Sequence, residues 1–144
     1  MHYEETKKDL FTLPTDYVLA HCIATDARMG AGIAVEFAKR YGGLRPKLQN
    51  MDLAIGDVIL YKKNILTHQV LNLITKKYST GKPTRDSFNQ TILNLKKVVL
   101  ENNIKKIGMP LIGSGLDRLS WSESRNFIQE TFKDIDVEII VCKL

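Results

Sequence analysis

Twice in this chain an apolar, strand-like run opens into a glycine-bearing loop and then into a helical pattern. The first run, Tyr17-Val18-Leu19-Ala20-His21-Cys22, leads to Arg28-Met29-Gly30-Ala31-Gly32-Ile33-Ala34. The second, Lys106-Ile107-Gly108-Met109, leads to Pro110-Leu111-Ile112-Gly113-Ser114-Gly115-Leu116-Asp117. A strand apolar at nearly every position needs cover on both faces, which predicts helices packed on either side of the sheet that carries it. Glycine in such loops removes the side chain that would hold backbone N–H groups away from phosphate oxygens, so both loops read as pyrophosphate cradles. Between them stands Thr75-Lys76-Lys77, and the second loop ends in an acid. An amine and a carboxylate beside a nucleotide pocket suggest chemistry.

The remaining pattern alternates strands with helices. Ile33, Phe37 and Tyr41 mark one helical stripe, stopped by Gly42-Gly43, and a short helix is expected over Pro46 to Met51. Val58-Ile59-Leu60-Tyr61 and Val70-Leu71-Asn72-Leu73-Ile74 read as a hairpin-like pair turning through Lys63-Asn64. Thr75 to Pro83 is polar and broken by Gly81, so it reads as a loop that places Lys76 at a strand's exit. Phe88, Ile92, Leu95 and Val99 follow the spacing of a core-facing helix. Ser120-Trp121-Ser122-Glu123 has capping-box spelling, predicting a helix with Phe127, Ile128, Thr131 and Phe132 inward. Val137 to Cys142 closes the chain as a mostly buried strand. In open α/β sheets ligands collect beyond the carboxyl ends of the strands, where both glycine loops and the Lys76 loop emerge.

With 144 residues, 44% hydrophobic and 26% charged, the chain has the size and balance of one ordinary globular domain, residues 1–144. The first residues carry no apolar signal core and no apolar run approaches the roughly 20 residues that cross a bilayer, so no membrane contact and a cytoplasmic location are expected. Cys22 and Cys142 sit in apolar runs without close-spaced partners and read as reduced core residues; with His2, His21 and His68 scattered, no metal site is expected. A net charge of +5 favours anionic ligands. Its lysine pairs are dispersed, however, and without a basic arm or interleaved aromatics a dedicated nucleic-acid binder ranks low.

The ordered set Asp9-Leu10-Phe11, His21-Cys22-Ile23, Arg28 to Ala34, Leu73-Ile74-Thr75-Lys76-Lys77, Lys82-Pro83-Thr84, Met109-Pro110, Gly113 to Leu119 and Trp121 resembles a macrodomain. More narrowly it resembles the terminal ADP-ribose protein glycohydrolase branch, whose members remove mono-ADP-ribose from acidic side chains. The resemblance spans almost the whole chain and implies a three-layer α/β/α fold with a mixed six-stranded central sheet. Macrodomains in general carry an asparagine after the strand that here ends near Cys22, where this chain has Ile23-Ala24-Thr25-Asp26. That departure points away from asparagine-dependent hydrolysis and toward a lysine mechanism.

The resemblance implies Asp9 on the adenine amino group with Leu10 beside it and Leu144 closing that side. Pro110, Leu111, Ile112, Gly113, Ser114, Gly115 and Leu116 would hold the pyrophosphate and distal ribose, facing Gly30, Ala31, Gly32 and Ile33, with His21 among the ligand-binding set. Ala24 replaces a serine common in animal members, and Leu111 a basic residue. Lys76 would attack the anomeric carbon, forming a covalent lysyl intermediate, with Asp117 as acid and base. A lysine attacks only as a neutral amine, a form that burial or a neighbouring like charge such as that of Lys77 favours. Without the resemblance, Lys76-Lys77 reads as a solvated pair, Asp117 as an Asx turn or a partner of Arg118, His21 as a hydrogen-bonded core residue, and Trp121 as packing beneath the second loop. The expected activity is that of an ADP-ribosyl hydrolase without metal or organic cofactor, extending to O-acetyl-ADP-ribose and admitting ADP-ribosylated nucleic acid beside ADP-ribosylated proteins. A non-catalytic ADP-ribose reader and an ADP-ribose phosphate phosphatase are the alternatives, and a monomer is expected.

Overall fold

The structure is a computed structural model that describes residues 1–143. Strand β1 (His2–Lys7) is followed by a one-turn 3-10 helix (Leu10–Thr12), β2 (Val18–Ala24), α1 (Ile33–Arg40) and α2 (Leu44–Gln49). Then come β3 (Val58–Tyr61), β4 (Val70–Lys76), α3 (Arg85–Glu101), β5 (Lys106–Met109), α4 (Trp121–Phe132) and β6 (Glu138–Lys143). The strands form one sheet in the order β1-β6-β5-β2-β4-β3. All pairings are parallel except that of β3, which runs antiparallel to β4 at the edge.

The two-residue period of the strands sorts their side chains into two cores. Val18 and Ala20 of β2 and Leu71 and Leu73 of β4 pack with Phe88, Ile92, Leu95 and Val99 of α3 and with Ile128 and Phe132 of α4. Leu19, Ile23, Val70 and Ile74 face the other way, onto Phe37 and Tyr41 at α1 and Leu44 and Leu48 of α2. Each fully buried large apolar side chain contributes about 1.5–3 kcal/mol. Helix, sheet and helix make the three layers expected, and the sheet is the mixed six-stranded one.

The differences from the sequence reading are local. Strand β1 carries no apolar run, because it is an edge strand with an alternating, half-exposed face. Helix α2 starts at Leu44 rather than Pro46, so Pro46 falls in the first turn, where its missing N–H has no intrahelical partner to lose. Strand β4 continues through Thr75 to Lys76 instead of ending at Ile74. Phe127 is only partly buried, while Ser124 takes an inward position on α4. In the capping-box spelling, the Ser120 hydroxyl accepts from Glu123 N at 3.4 Å. A reciprocal capping box sits instead at Thr84 and Ser87, opening α3.

Gly108 makes room for the 3-10 helix to lie against β5, since a Cβ there would stand 2.4 Å from Leu13 Cδ1 and 3.3 Å from Leu10 Cδ1. Edge strand β1 is tied to α4 through Glu5. Its carboxylate accepts from Arg125 Nε at 2.7 Å, Tyr3 OH at 2.6 Å and Trp121 Nε1 at 3.1 Å. Trp121 therefore braces β1, where the sequence suggested packing under the second loop. Burial of Glu5 works against its charge, but these hydrogen bonds and the Arg125 guanidinium outweigh it and bring the carboxyl down to about 2. A depressed folded-state value stabilises the fold while the group is ionised in both states, and the contribution fades as the carboxyl protonates. Glu5→Gln should therefore be less stable than the native chain at pH 7, with the gap closing as pH falls from 4.5 toward about 2. Urea unfolding at stepped pH measures it, and a gap that stays constant over that window counts against the linkage.

Candidate active site

Five parallel strands deliver their carboxyl ends to one rim, where a cleft of about 1090 Å³ opens. Its wall contains Asp9 and Leu10 from the 3-10 turn and Gly30, Ala31, Gly32 and Ile33 from the first glycine loop. Pro110, Leu111, Ile112, Gly113, Ser114, Gly115, Leu116 and Asp117 line it from the second loop, and Lys76 from the end of β4. Leu144 lies outside the described residues. The convergence follows from topology: β2, β4 and β5 are neighbours running the same way, so their exit loops share one edge.

Lys76 owes its aim to an irregularity. The β2–β4 register pairs Ile23 with Ile74 but Ala24 with Lys76, inserting one residue, Thr75, into β4. Such insertions bend a strand and re-aim the side chain that follows. The backbone there is fixed from both sides. Ser87 Oγ donates to the Thr75 carbonyl at 2.8 Å, and Thr25 N donates to the Lys76 carbonyl at 3.0 Å. The Lys76 ammonium reaches Asp117 Oδ1 at 2.7 Å, with the two side chains only 12% and 13% exposed. This contact replaces the Asx turn or Arg118 pairing that sequence alone would favour for Asp117. Lys77 is exposed, its Nζ 5.4 Å over the Tyr78 ring, and takes no part in the cleft wall.

Both glycine loops line the cleft, and each contains a glycine of positive φ. Gly32 precedes α1 with φ +62°, no side chain caps the helix, and Ile33 and Ala34 of its first turn line the cleft. Gly113 has φ +76°, and a Cβ on it would stand 2.9 Å from Phe88 Cε2. Leu119 N closes the second loop onto the Gly113 carbonyl at 2.7 Å. Ala27, Met29 and Arg118 hold left-handed backbone without being glycine, a strain that collects at ligand-binding loops.

His21 departs from its expected place on the wall. It is fully buried and stacked on Phe37 at 3.9 Å, with Nε2 2.7 Å from Asn72 Oδ1. Register explains this, because His21 and Asn72 are parallel-strand partners on the α1 side of the sheet. Burial lowers the imidazole to about 4 against the opposing Asn72 hydrogen bond, so His21 is neutral and structural. Cys142 is buried as expected and Cys22 is half-buried; both line the cleft and both are free thiols. Among the described residues no group of three His, Cys, Asp or Glu side chains is gathered as a metal ion requires, and no helix is long and apolar enough to cross a membrane.

Sequence reasoning missed several wall residues. Phe11 lies under the Arg40 guanidinium, 4.4 Å from its ring centre, and both line the cleft beside Asp9. Asp26 clips the loop after β4, accepting from Ser79 N at 2.9 Å and from the Ser79 hydroxyl. The Asp26-to-Arg28 hydrogen bond spells a local Asx turn and was legible; its bond to Ser79 spans 53 residues and was not.

Residues 20–128 match the family model of the Macro domain. This chain belongs to the macrodomain family. The macrodomain is 41% identical to ADP-ribose glycohydrolase OARD1 of Homo sapiens over 138 residues, 96% of this chain and 89% of the human protein. To ADP-ribose glycohydrolase OARD1 of Bos taurus it is 40% identical, over the same shares of the two chains. Its fold is similar to that of the macrodomain of Thermus aquaticus DarG, with a TM-score of 0.89 at 21% identity, covering 99% of this chain and 98% of that one. The structure of Thermosipho africanus DarTG in complex with ADP-ribose matches with a TM-score of 0.79 at 17% identity, over 88% of this chain and 38% of that one.

Gly113→Ala in this macrodomain forces a methyl against Phe88 and a side chain into left-handed backbone, and should cost about 1–3 kcal/mol of stability. Urea unfolding reads the loss; a variant as stable as the native chain would show that the loop is free to move off Phe88.

Proposed function

We propose that this macrodomain is an ADP-ribosyl hydrolase that releases mono-ADP-ribose from glutamate and aspartate side chains, with Lys76 as nucleophile and Asp117 as its acid–base partner. The observation that carries this reading is the 2.7 Å contact between Lys76 Nζ and Asp117 Oδ1 on the wall of a cleft flanked by two glycine loops. Identity of 41% with an ADP-ribose glycohydrolase, across nearly the whole chain, supports the same class of substrate.

The chemistry follows from the pair. An ammonium cannot attack carbon, so its proton passes to Asp117, the base already in hydrogen-bond contact with it. The freed amine bonds to the anomeric carbon of the distal ribose, and the carbon–oxygen bond to the modified carboxylate breaks with its electron pair leaving on the carboxylate. The departing carboxylate takes the Asp117 proton, which restores the base. Asp117 then takes a proton from water as the hydroxide displaces Lys76 from the anomeric carbon, and passes it to the freed amine, which returns the pair to its starting state. The N–H groups at the start of α1 and in the second glycine loop would hold the pyrophosphate, and Asp9 would take the adenine amino group. The pocket would admit O-acetyl-ADP-ribose and ADP-ribosylated nucleic acid by the same contacts. One chain supplies both reacting groups, which is consistent with a monomer.

A glutamate-modified substrate and two variants test the scheme. Lys76→Ala and Asp117→Ala should each slow ADP-ribose release by at least about 100-fold, while both still bind free ADP-ribose in calorimetry. Release undiminished in both variants would remove the assignment of the pair. A native protein that binds ADP-ribose but releases none from the substrate would be a reader instead.

A further inference from the structure

The tip of the second glycine loop, which carries Asp117, stands clear of the core. Its base is fixed by Gly113 against Phe88 and by the Leu119 N–H on the Gly113 carbonyl. Above that base Gly115 has nothing within 4 Å of where a Cβ would be, Leu116 is largely exposed, and Arg118 holds φ +61°. Within the tip, one hydrogen bond runs from Arg118 N to the Gly115 carbonyl at 3.2 Å. A segment so thinly held does not by itself keep a carboxylate within 2.7 Å of its partner.

Two lysines reach the tip from outside, one at the end of β4 and one in the connection from β4 to α3. Lys76 holds the Asp117 carboxylate, and Lys82 Nζ donates to the Leu116 carbonyl at 2.5 Å. They grip consecutive residues. Lys82 is itself rooted in a fixed stretch of backbone. Gly81 N closes a turn onto the Tyr78 carbonyl at 2.9 Å, Ser79 is bound to Asp26, and Pro83 is buried just before the Thr84 cap of α3. The Leu116 carbonyl belongs to the peptide unit whose nitrogen is that of Asp117, so holding it fixes the plane from which the Asp117 side chain departs. A charged donor makes this bond stronger than one between neutral groups at the same exposed position.

We infer that Lys82 is a positioning residue for the hydrolysis, tethering the peptide before Asp117 so that its carboxylate stays in register with Lys76. The inference rests on the hydrolase reading above. Lys82 lines the cleft, but one of its three N–H donors is committed to the protein's own backbone, so its loss should reach turnover through Asp117 rather than through affinity.

The test compares native protein, Lys82→Met, which keeps the stem without the donor, and Lys82→Arg, which restores charge and donors. Native release from the glutamate-modified substrate is measured first; if there is none, the hydrolase reading falls and the catalytic role of Lys82 with it, before any variant is compared. With an active native enzyme, Lys82→Met should lower kcat by about 10- to 100-fold and leave the Kd for free ADP-ribose within about threefold. Hydrogen exchange at the amides of residues 115–118 should quicken in Lys82→Met, and Lys82→Arg should recover most of both kcat and protection. Unchanged exchange in Lys82→Met overturns the tether. Faster exchange with native kcat overturns its bearing on Asp117, and a Kd weakened more than about tenfold with native kcat would make Lys82 a ligand contact instead.

Discussion

The shared direction of five strands is the constraint from which the cleft follows. A parallel sheet buries both faces, and here each strand sends alternate side chains into one of two cores, one under α3 and α4 and one under α1 and α2. Because the connections must cross from one end of the sheet to the other, every β-to-α loop leaves at the same edge. The Asp9 turn, both glycine loops and the exit of β4 come together there without any long-range pairing in the sequence to announce it. Antiparallel β3 adds an edge and leaves that rim undisturbed.

Within the rim, the structure uses side chains to fix backbone and backbone to aim side chains. The single extra residue in β4 turns Lys76 toward the loop of Asp117, and carbonyls on either side of that irregularity are held by Ser87 and Thr25. The capping box that opens α3 uses the same Ser87. A helix cap, a strand irregularity and the amine are thus one mechanical unit. Asp117 comes from a different strand pair and needs its own anchoring, which explains why its loop is pinned below by Phe88 and gripped above by lysines.

Most of the sheet was legible because buried strands and core-facing helices write their period into the sequence: Phe88, Ile92, Leu95 and Val99 could form little other than the inward stripe of α3. Strand β1 was not legible by period, since an edge strand half in water tolerates His-Tyr-Glu-Glu-Thr-Lys. The resemblance to macrodomains supplied that sixth strand. The glycine loops and Lys76 announced themselves through glycine spacing and position after a strand, but the clip between Asp26 and Ser79 and the reach of Lys82 to Leu116 join residues 53 and 34 positions apart. Such contacts depend on the assembled rim. His21 shows the opposite case: its apolar neighbours correctly mark it as a core residue, and family likeness alone would have put it on the wall.

Cys22 raises the question of which nucleophile a cleft like this employs, because a thiol is intrinsically the better one and this thiol reaches the same cavity as Lys76. Electrostatics decides against it. Burial, and after it the negative charge of Asp117, push the Cys22 thiol well above its ordinary range, outweighing the charge of Lys76. The same carboxylate discourages a thiolate, while its hydrogen bond to Lys76 places it to take that group's proton in the proposed reaction. The pyrophosphate of the proposed ligand would itself repel a thiolate formed beside it. In the proposed reaction a neutral amine, its proton passed to Asp117, would add no net charge to the cavity assigned to the pyrophosphate.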